Sequence, residues 1–283
     1  MKVIKLFLII EFILCLLVMN VFAETKPVGM VLDLQGNGEV ISDGNTTKLQ
    51  LLSFLKPQMR VKVQEGSKAS LSLYSKRMVY QVIGPAEVEI LKDKLNVISG
   101  SIPISKVIAE KLVTAAEPSK ITAGAYRMRG ELPQISIVTP ENGSVLLELQ
   151  PRFIWEAMES SKYVIQVFDQ TKQLVMKDEV LEQSWQIPPG KFLNYGKSYK
   201  WAVSFTSAKN GKENVASGEF TVLTKNEAEN LIALKPSASA SIEEWVLYAV
   251  MLENKKAREA AHEVWKKIAQ DRPDLEKVAE LAR

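Results

Sequence analysis

Cysteine and histidine are nearly missing: Cys15 and His262 are the only ones in 283 residues. A single thiol cannot close an internal disulfide, and one histidine with one cysteine does not supply a Cys/His zinc centre. Ser–His–Asp chemistry needs a poised histidine, whereas His262 sits between Ala261 and Glu263 on an amphipathic stretch and is expected to face solvent. Neither sign of charge is in excess, with 36 basic and 33 acidic residues and a net charge of +3. The two signs are interspersed, so no nucleic-acid partner is expected. No glycine-rich loop follows a strand and opens a helix, which removes phosphate-cradle chemistry. Beyond Phe22 no apolar run approaches the ~20 residues that a membrane helix needs.

The first residues carry the clearest pattern that is present. Lys2 and Lys5 precede a run from Leu6 to Val21 that is apolar except at Glu11 and Asn20, and Val21-Phe22-Ala23 follows, with Glu24 beyond. A basic start, an apolar stretch and a small-residue site have the layout of a secretory signal peptide, here residues 1–23. Export to the periplasm is therefore expected, with anchoring at the inner membrane as the alternative if the segment is not cut. A membrane partner is expected only in that second case. Leu14 before Cys15 is too large for a lipid-attachment site. Setting aside Lys2, Lys5 and Glu11 leaves 34 basic and 32 acidic residues and no cysteine.

The remaining chain changes character twice, giving expected segments of 24–131, 132–224 and 225–283. In the first, Val61 and Val63, Leu71 and Leu73, and Ala86, Val88 and Ile90 alternate with polar residues. Period-two alternation places apolar side chains on one face of a sheet. Gly36-Asn37-Gly38, Asp43-Gly44-Asn45, Glu65-Gly66-Ser67, Gly84-Pro85 and Ser99-Gly100 mark the turns. A small barrel, sandwich or β-roll follows. The stretches Gly29-Met30-Val31, Gly36 to Val40, Leu55 to Val63, Gly66 to Leu73, Gly84 to Ile90 and Leu95 to Gly100 give this segment its identity. On them it resembles the FecR-type periplasmic domain, from Lys26 to about Val107. Ser105 to Thr114 reads as a short helix or a further strand, and Gly124 to Gly130 as a closing strand before a linker.

The second segment carries Phe153-Ile154-Trp155, Tyr163 to Asp169, Trp185-Gln186-Ile187-Pro188, Tyr199 to Phe205, and Gly218 to Val222. About seven strands in ~90 residues predict an aligned two-sheet sandwich. The Phe-Ile-Trp and Tyr-Val-Ile-Gln-Val strands and the Leu193 to Val203 corner resemble a fibronectin type III-like, immunoglobulin-like module. Its aromatics, Trp155, Tyr163, Tyr199, Trp201 and Phe205, share sheet faces and are expected in the core. Trp185 stands apart because Ser184 and Gln186 beside it are polar.

The third segment predicts helices over 226–234, 241–253 and 256–270, with a last short one capped by Asp274. Ser241 and Glu244 have capping-box spacing. Trp245, Tyr248, Ala249, Leu252, Ala261, Trp265 and Pro273 resemble one tetratricopeptide repeat, a C-terminal α-helical hairpin. A lone repeat cannot bury both of its faces and must dock on something.

The expected fold is thus multidomain and mainly β: a FecR-like β-roll or sandwich, a fibronectin III-like sandwich and the helical hairpin. Asp169, Asp178 and Glu179 are the only acidic group that invites an acid–base reading, and their spacing does not enforce a pair. No catalytic, cofactor or metal residues are assigned, and no enzyme activity is expected. The resemblances imply an exported scaffold or sensor component whose partner is an envelope protein, with peptidoglycan as the other candidate ligand. Trp245, Tyr248, Trp265, Lys266 and Lys267 on the helical groove, and Trp185, are the candidate contacts. The rival is a carbohydrate-binding accessory protein or glycan hydrolase.

Overall fold

A computed structural model describes residues 25–76, 78–107, 112, 134–159 and 161–283. The expected signal segment and the Gly124 to Gly130 strand lie outside the described residues. Among the described residues there are eighteen strands and four α-helices, so the chain is mainly β. None of these helices is long and apolar enough to cross a membrane.

Ten strands form two five-stranded antiparallel sheets. One has the order β10 (Ile104–Val107), β7 (Met78–Ile83), β6 (Lys68–Leu73), β1 (Gly29–Gln35), β4 (Phe54–Leu55). The other runs β3 (Asn45–Lys48), β2 (Gly38–Ser42), β5 (Arg60–Val63), β8 (Ala86–Ile90), β9 (Leu95–Ser99). The alternating residues Val61, Val63, Leu71, Leu73, Val88 and Ile90 fill the space between them. Gly36 permits the turn between β1 and β2: its φ is +82°, and a Cβ there would lie 2.4 Å from Ser67 Oγ. That same oxygen accepts a hydrogen bond from Asn37 N at 2.9 Å. Of the 105–114 expectation, the strand reading fits residues 105–107, which belong to β10.

β1 shows no alternation: it is apolar from Met30 to Leu34 except at Asp33, and buried on both faces. Its pairing with β6 slips between Val31 and Asp33. The extra residue of such a bulge re-aims the side chains around it. Val31 and Leu34 therefore enter the inter-sheet core, while Met30 and Leu32 join a second cluster built from the helices.

Eight more strands form a three-stranded sheet and a five-stranded sheet. The first has the order β11 (Ile135–Thr139), β13 (Arg152–Ala157), β16 (Ser184–Gln186). The second runs β12 (Ser144–Leu146), β18 (Glu213–Val222), β17 (Ser198–Thr206), β14 (Tyr163–Asp169), β15 (Leu174–Val180), with β12 parallel to β18. Phe153, Trp155, Tyr163, Trp201, Phe205 and Phe220 fill the interior. Phe153 meets Trp201 edge-on, with centroids 5.0 Å apart. Such pairs add about 0.5–1.5 kcal/mol each beyond the burial itself.

The helices are α1 (Lys225–Ala233), α2 (Ile242–Asn254), α3 (Arg258–Asp271) and α4 (Glu276–Leu281). The capping box at Ser241 forms, with Ser241 N donating to Glu244 Oε2 at 2.9 Å. Thr224 and Glu227 make a second box at the start of α1, one that the sequence reading passed over. Two expected boundaries need correction. α3 starts at Arg258 rather than Lys256, because Lys256 has a φ of 59° and cannot continue a right-handed helix. Asp274 does not cap α4; both of its oxygens accept from Arg272 instead, at 2.7 and 2.8 Å.

The hairpin docks on the β structure. Residues 245–252 of α2 are all buried, because the helix is covered on several sides at once. Met30, Leu32, Leu51 and Val79 meet it from the first pair of sheets, and Ala257, Ala261, Trp265 and Ile268 from the helical side. Ser70 and Ser72 point away from the inter-sheet core toward α2, and being small they admit the helix closely; Ser70 Oγ donates to Glu243 Oε1 at 2.8 Å. The second pair of sheets holds the other end of the hairpin. Val145 N donates to Lys256 O at 2.9 Å, and Arg258 pairs with Glu141 at 2.8 Å.

Candidate functional site

A concave surface lies where the helices face the second pair of sheets. It is an open groove of about 1180 Å³. Its helical wall carries Trp245 and Tyr248 from α2 and Lys266 and Lys267 from α3. Positions 245, 248 and 252 fall on one helix face, as do 260, 263, 264 and 267, because neighbours on a helix surface are three or four residues apart. The opposite wall comes from β11 and β13 through Val138 and Ile154, and Ile232 of α1 lines the groove with Lys235 and Pro236 beyond that helix.

Four of the six sequence candidates are thus brought together. Trp245 and Tyr248 show only their edges, at 6% and 4% exposure, and meet edge-on at 6.4 Å. Lys267 Nζ lies 4.9 Å from the centre of the Trp245 ring, a cation–π contact. It also pairs with Asp271, while the exposed Lys266 pairs with Glu263 at 3.0 Å. The other two candidates are placed elsewhere. Trp265 is 1% exposed and packs in the helical core. Trp185 packs against Phe153 in the sandwich core, and its indole donates to Asp178 Oδ2 at 2.8 Å. Its polar neighbours serve strand edges: Ser184 Oγ accepts from Arg152, and Gln186 donates to Gln150 O. Both tryptophans are core residues rather than contact surface.

The other end of the groove is acidic. Glu253, Glu259 and Glu141 line it with Arg258 and His262. Burial pushes the Glu253 carboxyl above the ordinary carboxylate range. Glu259 Oε1 accepts from Thr139 Oγ1 at 3.2 Å and from Glu141 N at 3.1 Å, while its Oε2 is buried with no partner among the described residues. His262 is half-buried rather than solvated, because Nδ1 lies 3.3 Å from Leu281 O where α4 folds back on α3.

The acidic group weighed for acid–base chemistry has structural employment. Asp169 Oδ1 accepts from Thr171 N, Thr171 Oγ1 and Gln173 N, which closes the β14–β15 turn and holds its carboxyl below the usual range. Asp178 holds Trp185. Glu179 pairs with Lys162, which likewise lowers its carboxyl. Among the described residues no group of three or more His, Cys, Asp or Glu is arranged to hold a metal ion.

Ile232, Val138 and Ile154 escaped the sequence reading. They come from separate segments, and only docking of the helices makes them neighbours. A large aliphatic at 58% exposure on an otherwise polar helix face, as Ile232 is, was the one local signal. No known protein family matches this sequence, and no curated protein matches it.

Proposed function

We propose that this chain is an exported, non-enzymatic envelope protein that holds a segment of a partner protein in the groove between its helices and its second pair of sheets. The observation that carries this reading is the groove itself. It is open and lined by aliphatic and aromatic side chains together with charged ones. Small-molecule sites bury most of their ligand in an enclosed pocket, whereas grooves beside helices suit peptide segments.

Other features support the finer parts of the proposal. The basic-apolar-small pattern of residues 1–23 supports export to the periplasm. Two facing antiparallel sheets with glycine turns at the expected places suit a FecR-like domain. The order β11-β13-β16 facing β15-β14-β17-β18 suits a fibronectin III-like sandwich. The glycan-binding alternative has less support, since the sandwich aromatics face inward.

A photo-crosslinking residue at Ile232, introduced into the full chain in its own cells, tests the reading. The expected outcome is one dominant crosslink to an envelope protein, lost when Lys266→Glu and Lys267→Glu are added. Crosslinks to many proteins, or none, would refute it.

A further inference from the structure

The groove has two chemically different ends, and this follows from how its helices run. α2 and α3 are antiparallel, so the start of α2 lies beside the end of α3. Lys267 over Trp245 fixes that end. Lys266 projects beside it and Lys235 lines the same groove. Lys235 makes no ion pair among the described residues. The pairs made by Lys266 and Lys267 are each within one helix turn and exposed. Such pairs contribute little and give way readily to a new carboxylate. Trp245 Nε1 is a buried donor with no partner among the described residues.

Eight residues further along α2, about 12 Å at the helical rise, Glu253 stands beside Glu259 and Glu141 with Arg258 as the nearby guanidinium. This end holds the complementary orphan, the Glu259 Oε2 acceptor. The groove is also lined by exposed aliphatic side chains, Ile232 at 58% and Val138 at 40% exposure.

We infer that the partner segment is bipolar: a short apolar stretch with a carboxylate at one end, held by Lys266 and Lys267, and a basic side chain at the other, held by Glu253 and Glu259. The inference rests on the groove being a protein-binding site. Charge complementarity at both ends sets specificity and direction, and the apolar middle supplies burial. A 12 Å separation spans about three or four extended residues.

The test uses the full chain and four fluorescent peptides with the same apolar centre of about three residues. Their ends are acid–base, acid–acid, base–base or neutral, and binding is read by anisotropy. The acid–base peptide is expected to bind about tenfold more tightly than the others, a difference of about 1.4 kcal/mol. The Lys266→Glu/Lys267→Glu variant, checked for folding by circular dichroism, is expected to reverse the preference toward base–base. Equal binding of all four peptides, abolished by Ile232→Glu, would overturn the bipolar inference and leave the groove reading intact. Binding that ignores Ile232→Glu, or no binding, would overturn both. Self-association of the free chain that Ile232→Glu abolishes would identify a second copy as the occupant and also overturn the inference.

Discussion

Asp33 on β1 and Arg272 just after α3 form an ion pair across 239 positions of sequence, with the side chains 3% and 16% exposed. Arg272 also donates to Leu34 O at 2.9 Å and to both oxygens of Asp274. One guanidinium thus fastens the hairpin to β1, between β6 and β4 in the first pair of sheets. It is placed there by the β1 slip, which brings Asp33 to the same side as Leu32. Burial pushes the Asp33 carboxyl up, and its bond to Arg272 partly opposes this. Asp274, more exposed, is held below the usual range by Arg272.

Removing one partner of a buried pair leaves the other uncompensated and costs about 3–5 kcal/mol. Arg272→Ala is expected near the lower end, about 3 kcal/mol, because Arg272 keeps some exposure. The double variant Asp33→Ala/Arg272→Ala is expected to cost less than the sum of the two single changes. Urea denaturation of all three measures this. A loss below about 1 kcal/mol for Arg272→Ala would reduce the pair to an ordinary surface contact.

Glu253 yields a pH prediction. Its folded pKa is raised from 4.5 by burial, so the folded state holds this proton more tightly than the unfolded state. Stability from this group is then fully present at low pH and falls as pH rises from 4.5 through the raised folded value. Glu253→Gln removes that fall. The variant is expected to melt higher than the parent at neutral pH, with the gap closing below the window. Melting curves from pH 3 to 8 check it, and a constant gap would contradict the assignment.

Leu32 and Leu71 are both fully buried but in different clusters, the first beneath the helices and the second between the sheets. Each Leu→Ala change is expected to cost about 2–5 kcal/mol. Their local effects differ. Leu32→Ala is expected to speed amide hydrogen exchange most in α2, and Leu71→Ala most in β5, β6 and β8. Exchange mass spectrometry separates them. Identical patterns would mean that helices and sheets open only as one unit.

Much of the architecture was legible because its signals are local. Alternation at Val61, Val63, Ala86, Val88 and Ile90 gives strands, since pleating sends successive side chains to opposite faces. The Ser241–Glu244 box starts α2 as its spacing requires. Asp169 ends a strand as a turn residue. Trp185 misled because its polar neighbours Ser184 and Gln186 lie on the opposite strand face and say nothing of its own; here its indole reaches Asp178 while the ring fills the core. Trp265 misled in another way, because it faces the core that forms where the helices are covered by the first pair of sheets.

The sequence by itself determined where strands, turns and helices form, because those depend on periodicity, caps and backbone freedom within a few residues. Only the tertiary structure decided what the hairpin packs against, which tryptophan borders the groove, and that a groove exists. Those outcomes depend on apolar faces far apart in the chain meeting to leave water. No local pattern records which face meets which.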